Sequence, residues 1–273
     1  MRRRVPWGAL IILLAGAAAF GLSVWIRLSI NAPSALEKLI AAHAPAENVQ
    51  ILAGGAGNSL LVGTSLGVIE GRGSRWTRVA GLQTDVKSVL READGALLLA
   101  GDGTGVARYQ TGQLTTLLPG DAQAVAEPEP GRLFALVGGQ ALQASADGGR
   151  TWSQLVEFEI ERIHALAANG TTLAAGGLQG GIYVSQDGGK RWESRPAPGG
   201  SVTALQFDPS KSGRLWVCAG GAALYSDDGG TTWRPGVRKG KSDRLLIALA
   251  PAPAGETGMR GISADGLLVT LGE

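Results

Sequence analysis

The sequence predicts an all-β chain: a six-bladed β-propeller of four-stranded antiparallel blades, preceded by one N-terminal transmembrane helix. Three observations predict it. An eight-residue Ser-x-Asp-Gly-Gly-x-x-Trp pattern occurs three times, with its aspartates, Asp147, Asp187 and Asp228, 40 and 41 residues apart. Between these turns, short apolar runs joined by Gly, Asn, Asp and Pro give four strands per period. Ahead of the repeats, no charged residue stands between Arg4 and Arg27.

The N-terminal element comes first. Val5 to Ile26 supplies 22 uncharged positions, about 33 Å of helix at ~1.5 Å per residue, enough for a ~30 Å hydrocarbon layer. Residues 1–4 are a basic cytoplasmic end, because Arg2, Arg3 and Arg4 precede a span expected over 5–28. The propeller is then expected in the periplasm or extracellular space. Trp7 and Trp25 suit the two interfaces. A cleavable signal peptide is the alternative, with small residues at Ala15 to Ala19 after the apolar stretch. Residues 29–47 form a linker, read either as a short helix or as a strand that closes the ring. Ser34-Ala-Leu36-Glu37 fits a capping box, with Leu36, Leu39 and Ile40 at helical spacing.

The propeller is expected over 48–273. Two worn copies precede the three full repeats. Residues 68–77 keep the turn and Trp76, whereas 106–114 keep only a hairpin around Gly112. Asp94-Gly95, Pro130-Gly131, Asn169-Gly170 and Ser212-Gly213 each introduce a second strand, such as Ala96–Leu99 or Leu215–Val217. A sixth unit runs through Arg244–Leu249, Met259–Ile262 and Leu267–Leu271. Its fourth strand is missing; either a segment near residues 30–46 supplies it, or the blade has three strands. Ser263-Ala-Asp265-Gly266 aligns with the turn before a third strand, so it is not counted as a repeat turn.

The three full copies are Ser145, Asp147, Gly148, Gly149, Thr151 and Trp152; Ser185, Asp187, Gly188, Gly189 and Trp192; and Ser226, Asp228, Gly229, Gly230, Thr232 and Trp233. They are similar to the Asp-box, or BNR, repeat of sialidase-like propellers. The second copy departs from it, with Arg191 where the family has Thr. The expected role is structural. Asp accepts from backbone N–H groups, Gly adopts angles that a Cβ disfavours, and Trp folds over the hairpin.

Candidate chemistry is thin. The resemblance to sialidases implies an arginine triad and a tyrosine nucleophile, but Tyr109, Tyr183 and Tyr225 recur at one place in the repeat and the family's Arg-Ile-Pro motif is absent. Glu157, Glu159 and Glu161 alternate and read as a solvated acidic rim. His43 and His164 have no metal-ligand spacing, and no metal or cofactor is expected. Cys218, the single cysteine, lies in an apolar run and reads as core. With 25 basic against 23 acidic residues and no basic stripe, nucleic acid is not an expected partner.

The loop face opposite the repeat turns should display Thr64-Ser65, Asp102–Thr104, Gly138–Gln140, Gly176–Gln179 and Gly220-Gly221. Arg238, Lys239, Lys241 and Arg244 place four cations within seven positions, a candidate partner-binding loop whose alternative is an exposed turn. The expectation is a non-catalytic, membrane-anchored module for protein interaction, scaffolding or assembly, with a membrane or periplasmic protein as partner and no small-molecule substrate. In this it is loosely similar to the photosystem II assembly factor family, which implies an accessory or assembly role in a membrane complex. The alternative is a carbohydrate-active or glycan-binding propeller of the cell envelope.

Overall fold

The computed structural model describes residues 34–42, 49–54, 59–158, 162–196, 198–239, 244–252 and 258–273. The predicted membrane span at 5–28 lies outside them, as do His43, Glu159, Glu161 and Lys241. No helix among the described residues is long and apolar enough to cross a membrane.

Five blades follow the chain directly. Blade 1 comprises β1 (Val49–Gly54), β2 (Leu60–Thr64), β3 (Gly67–Arg72) and β4 (Arg75–Arg78); blade 2 comprises β5 (Ser88–Arg91), β6 (Leu97–Gly101), β7 (Gly105–Gln110) and β8 (Gln113–Leu118). Blade 3 holds β9 (Ala122–Glu129), β10 (Arg132–Val137), β11 (Ala141–Ser145) and β12 (Ser153–Glu157); blade 4 holds β13 (Ile163–Asn169), β14 (Thr172–Gly177), β15 (Ile182–Ser185) and β16 (Glu193–Arg195). Blade 5 is β17 (Val202–Phe207), β18 (Leu215–Ala219), β19 (Ala222–Ser226) and β20 (Arg234–Pro235). Second strands such as β2, β6 and β18 are buried at every residue, because neighbouring blades cover both of their faces. That is why they read as unbroken apolar runs rather than alternating ones. Outer strands face solvent, as the first four residues of β8 do.

The sixth blade differs from both sequence expectations. It is four-stranded, in the order β21 (Val237–Lys239), β24 (Leu268–Gly272), β23 (Met259–Ser263), β22 (Leu246–Pro251). The outer strand is the segment just after blade 5, paired Val237↔Gly272, Arg238↔Leu271 and Lys239↔Thr270. It is not supplied by residues 30–46. Gly236 makes the step between blades possible, since a Cβ there would come within 2.6 Å of the Trp216 ring. The first strands β1, β5, β9, β13, β17 and β22 stand side by side in a closed ring around the axis.

Helix α1 (Ala35–Ala41) seals the seam between blades 1 and 6. Leu36 and Ile40 are buried with Val49, Leu52 and Ile69 of blade 1 and with Ala248, Ala250 and Ile262 of blade 6. Gly266 leaves room for the helix; a Cβ there would lie 2.5 Å from Ile40 Cδ1. At its edge Arg244 bridges Glu37 and Asp265, each at 2.6 Å.

Candidate functional site

The three repeat turns join the third and fourth strands of blades 3, 4 and 5, and their carboxylates are turned inward on their own hairpins. Asp147 Oδ1 accepts from the N–H groups of Arg150 (3.0 Å) and Thr151 (2.9 Å) and from Ser145 Oγ (2.8 Å), and Oδ2 accepts from Thr151 Oγ1 (2.6 Å). Ser145 Oγ in turn accepts from Gly149 N (2.9 Å). Asp228 repeats the set with Thr231, Thr232 and Ser226. Asp187 keeps the backbone bonds from Lys190 and Arg191 and the Ser185 hydroxyl, with Arg191 in place of the threonine. Gly148 and Gly149 sit at φ of 73° and 89°, which favours glycine.

The indoles close the turns differently. Trp152 Nε1 donates to Gly149 O and, across the blade boundary, to Leu117 O. Trp192 donates to Gly189 O, whereas Trp233 donates to Pro196 O of the preceding blade. Trp76 keeps the local bond, to Gly73 O at 2.7 Å, in the worn first copy. Hydrogen bonds to the charged form lower the carboxyl pKa values. The hydroxyl and N–H of Thr151 bring Asp147 down to about 2, those of Thr232 lower Asp228, and the Arg191 N–H lowers Asp187.

On the opposite face, the mouth of the central channel gathers residues that the repeat pattern did not single out. In five of the six ring strands the ladder skips one residue near the start: Gln50, Gln123, His164, Thr203 and Ile247. In blade 2 Lys87 stands at that point, its N–H bonded to Ala100 O just before Ser88 pairs with Ala100. A bulge re-aims its side chain, and here the groups of blades 2 and 3 meet. Lys87 Nζ pairs with Asp102 and donates to Gln123 Oε1 (3.1 Å). Gln123 Nε2 donates to Asp102 Oδ1 (3.4 Å), and Gln50 Nε2 donates to Asp85 Oδ1. Asp85 Oδ2 and Asp121 Oδ1 accept from the N–H groups of Asp102 and Gly103. His164 is half-buried in the next blade. Burial and the Lys87 ammonium lower its pKa, Asp102 opposes them, and Arg162 adds a smaller downward push.

Gln50, Lys87 and Gln123 escaped sequence reasoning because each is a lone polar residue beside an apolar run. Aligning the repeats on their first strands would have shown the shared position. Of the candidate partner-binding loop, Arg238 and Lys239 belong to β21. Arg238 donates to Arg244 O (2.7 Å) and Gly221 O (3.0 Å), and Arg244 holds Glu37 and Asp265. Tyr109, Tyr183 and Tyr225 lie in third strands, on different blades. Cys218 is buried, with its Sγ 3.0 Å from Leu246 O.

The BNR/Asp-box repeat family matches residues 224–235. No curated protein matches the chain. Among solved structures, the gluconolactonase XC5397 of Xanthomonas campestris is similar over 83% of this chain and 86% of its own, with TM-score 0.63 and 13% identity. The extracellular domain of the hybrid two-component system BT4673 of B. thetaiotaomicron is similar over 81% of this chain and 32% of its own, with TM-score 0.57 and 13% identity. At such identity these likenesses speak for architecture alone. The chain is a six-bladed β-propeller that carries BNR/Asp-box repeats.

Proposed function

We propose that this propeller is a membrane-anchored, extracytoplasmic interaction module that docks a membrane or periplasmic protein on its channel-mouth face. One observation carries the reading. Of the five exposed large hydrophobic side chains among the described residues, Leu66, Leu178 and Leu245 stand on that face. Leu66 and Leu178 occupy turns between second and third strands, and Leu245 leads into β22. Apolar groups held in water on one face suit a partner that covers them.

The mouth acids support docking over acid–base chemistry. Asp85 is held by Gln50 and the Asp102 N–H, Asp102 by Lys87, and Asp121 by the Gly103 N–H. The test compares the full chain with a Leu66→Asp, Leu178→Asp, Leu245→Asp variant, both extracted in mild detergent. The wild type should carry one protein in near-stoichiometric amount and the variant should lose it while melting normally. A wild type that purifies alone, or a variant that retains the partner, would contradict the reading.

A further inference from the structure

Helix α1 is fixed on the channel-mouth face. It rests against the turn between β23 and β24, a turn between second and third strands like those that carry Leu66 and Leu178. In that turn Gly266 abuts Ile40 and Glu37, Asp265 shares the Arg244 guanidinium with Glu37, and Ala264 O accepts the Val49 N–H (3.4 Å). Toward blade 1, Arg78 at the end of β4 donates to Leu39 O (3.4 Å). Arg78 also lines a groove of about 470 Å³ between the β2–β3 turn and the segment that leads into β5, walled by Leu66, Val68, Val79 and Leu82. The helix, the groove and the exposed leucines at 66, 178 and 245 therefore share one face.

The sequence ends the expected membrane span at residue 28, and α1 begins at Ala35. Residues 29–34 reach at most about 21 Å at ~3.3–3.6 Å per residue. A ring strand such as β13, with 7 residues, is about 23 Å long at ~3.3 Å per residue, before the turns at its two ends are added. A tether of that reach, fixed on the mouth face, cannot pass around the body and leave the repeat turns nearest the bilayer. We propose that the mouth face is turned toward the membrane and that its partner is the juxtamembrane part of an integral membrane protein, with an apolar side chain seated in the groove beside Leu66. The inference rests on the anchoring and docking reading above and narrows its partner. A lipid surface suits the face less well, because Asp85, Asp102 and Asp121 stand at the mouth against Lys87, and carboxylates oppose phosphate headgroups. A disc standing on the rim of blades 1 and 6 would hold Leu178, in blade 4, away from the bilayer, whereas a face-on disc brings all three leucines to the partner.

The first measurement uses the full chain in liposomes, in a Cys218→Ala background that removes the single cysteine. A donor dye is placed on one introduced cysteine at a time, with an acceptor on the lipid headgroups. Leu66→Cys and Leu178→Cys should be quenched severalfold more strongly than Arg150→Cys and Lys190→Cys, in variants that melt as the parent does. Equal quenching of the two pairs, or stronger quenching at the repeat turns, would overturn the orientation. Quenching at Leu66 without quenching at Leu178 describes the disc on its rim and overturns it as well. The second measurement places a photoreactive residue at Gln83, on the wall of the groove, in intact cells and maps the captured peptide. A peptide adjoining a membrane span of an integral membrane protein is the expected product. A peptide from a protein with no span, a lipid adduct or no adduct would overturn the partner class. If the mouth face is the quenched one but the wild type purifies alone, the docking reading fails and the orientation stands. If the partner is retained while the repeat turns lie nearer the lipid, docking stands and this inference fails.

Discussion

The second repeat turn is a substitution made by the protein itself. Thr151 and Thr232 each give their aspartate a hydroxyl bond at 2.6 Å, and that bond is the largest cause of the depressed pKa in both turns. Arg191 offers no such hydroxyl, and Asp187 is lowered chiefly by a backbone N–H. A carboxyl whose folded pKa lies below its ordinary value contributes stability above that value and loses it as pH falls through the folded pKa. For Asp147 the window runs from the ordinary 3.8 down to about 2. Thermal melts of the wild type and Asp147→Asn should therefore differ most above that window and converge across it on acidification. Arg191→Thr should give the second turn the missing hydroxyl bond and raise the melting temperature. A constant gap between wild type and Asp147→Asn across the window would show that the carboxylate charge is not what the turn uses.

At the scale of elements, ring closure rests on packing rather than on a strand shared between the chain's two ends. Blade 6 draws all four strands from residues 237–272, so it meets blade 1 through the face contact of β1 with β22, a Val49 N–H bond to Ala264 O and the buried face of α1. Leu36 is fully buried in that seam. Leu36→Ala should cost about 2–5 kcal/mol, the range for a large-to-small core change, measured by urea unfolding of the full chain. A loss near zero would mean that α1 merely rests on the ring. The short helix was one of the two readings open for residues 29–47, the one carried by the capping box and the spacing of Leu36, Leu39 and Ile40. The strands of blades 1 to 5 were legible from glycine-marked turns and apolar runs. Strand β21 was not, because Val237-Arg238-Lys239 carries no alternation and lies in a stretch whose clustered cations read as a loop. Its pairing depends on β24, some thirty residues further on, which local pattern does not report.

The whole molecule divides its work between two faces. On one, the carboxylates of the three repeat turns are consumed by their own hairpins, and indoles and arginines tie successive blades together. Arg108 reaches from blade 2 to Gly148 O of blade 3, and Arg195 from blade 4 to Gly229 O of blade 5. On the other face stand Leu66, Leu178 and Leu245 and the channel-mouth network. The aspartate pattern that makes the fold legible thus points away from the surface proposed to act. The mouth itself was hidden in the sequence, since Lys87, Asp102 and Gln123 are far apart along the chain and meet only because successive blades pack side by side.

The most direct test of this division is site-specific photo-crosslinking of the full chain in intact cells. A photoreactive residue is placed in turn at Leu66, Leu178 and Leu245 on the mouth face, and at Arg150, Lys190 and Thr231 on the repeat-turn face. Discrete crosslinks to one protein from the mouth-face positions, with none from the repeat turns, are the predicted result. Crosslinks from the repeat turns, or silence from the mouth face, would contradict it.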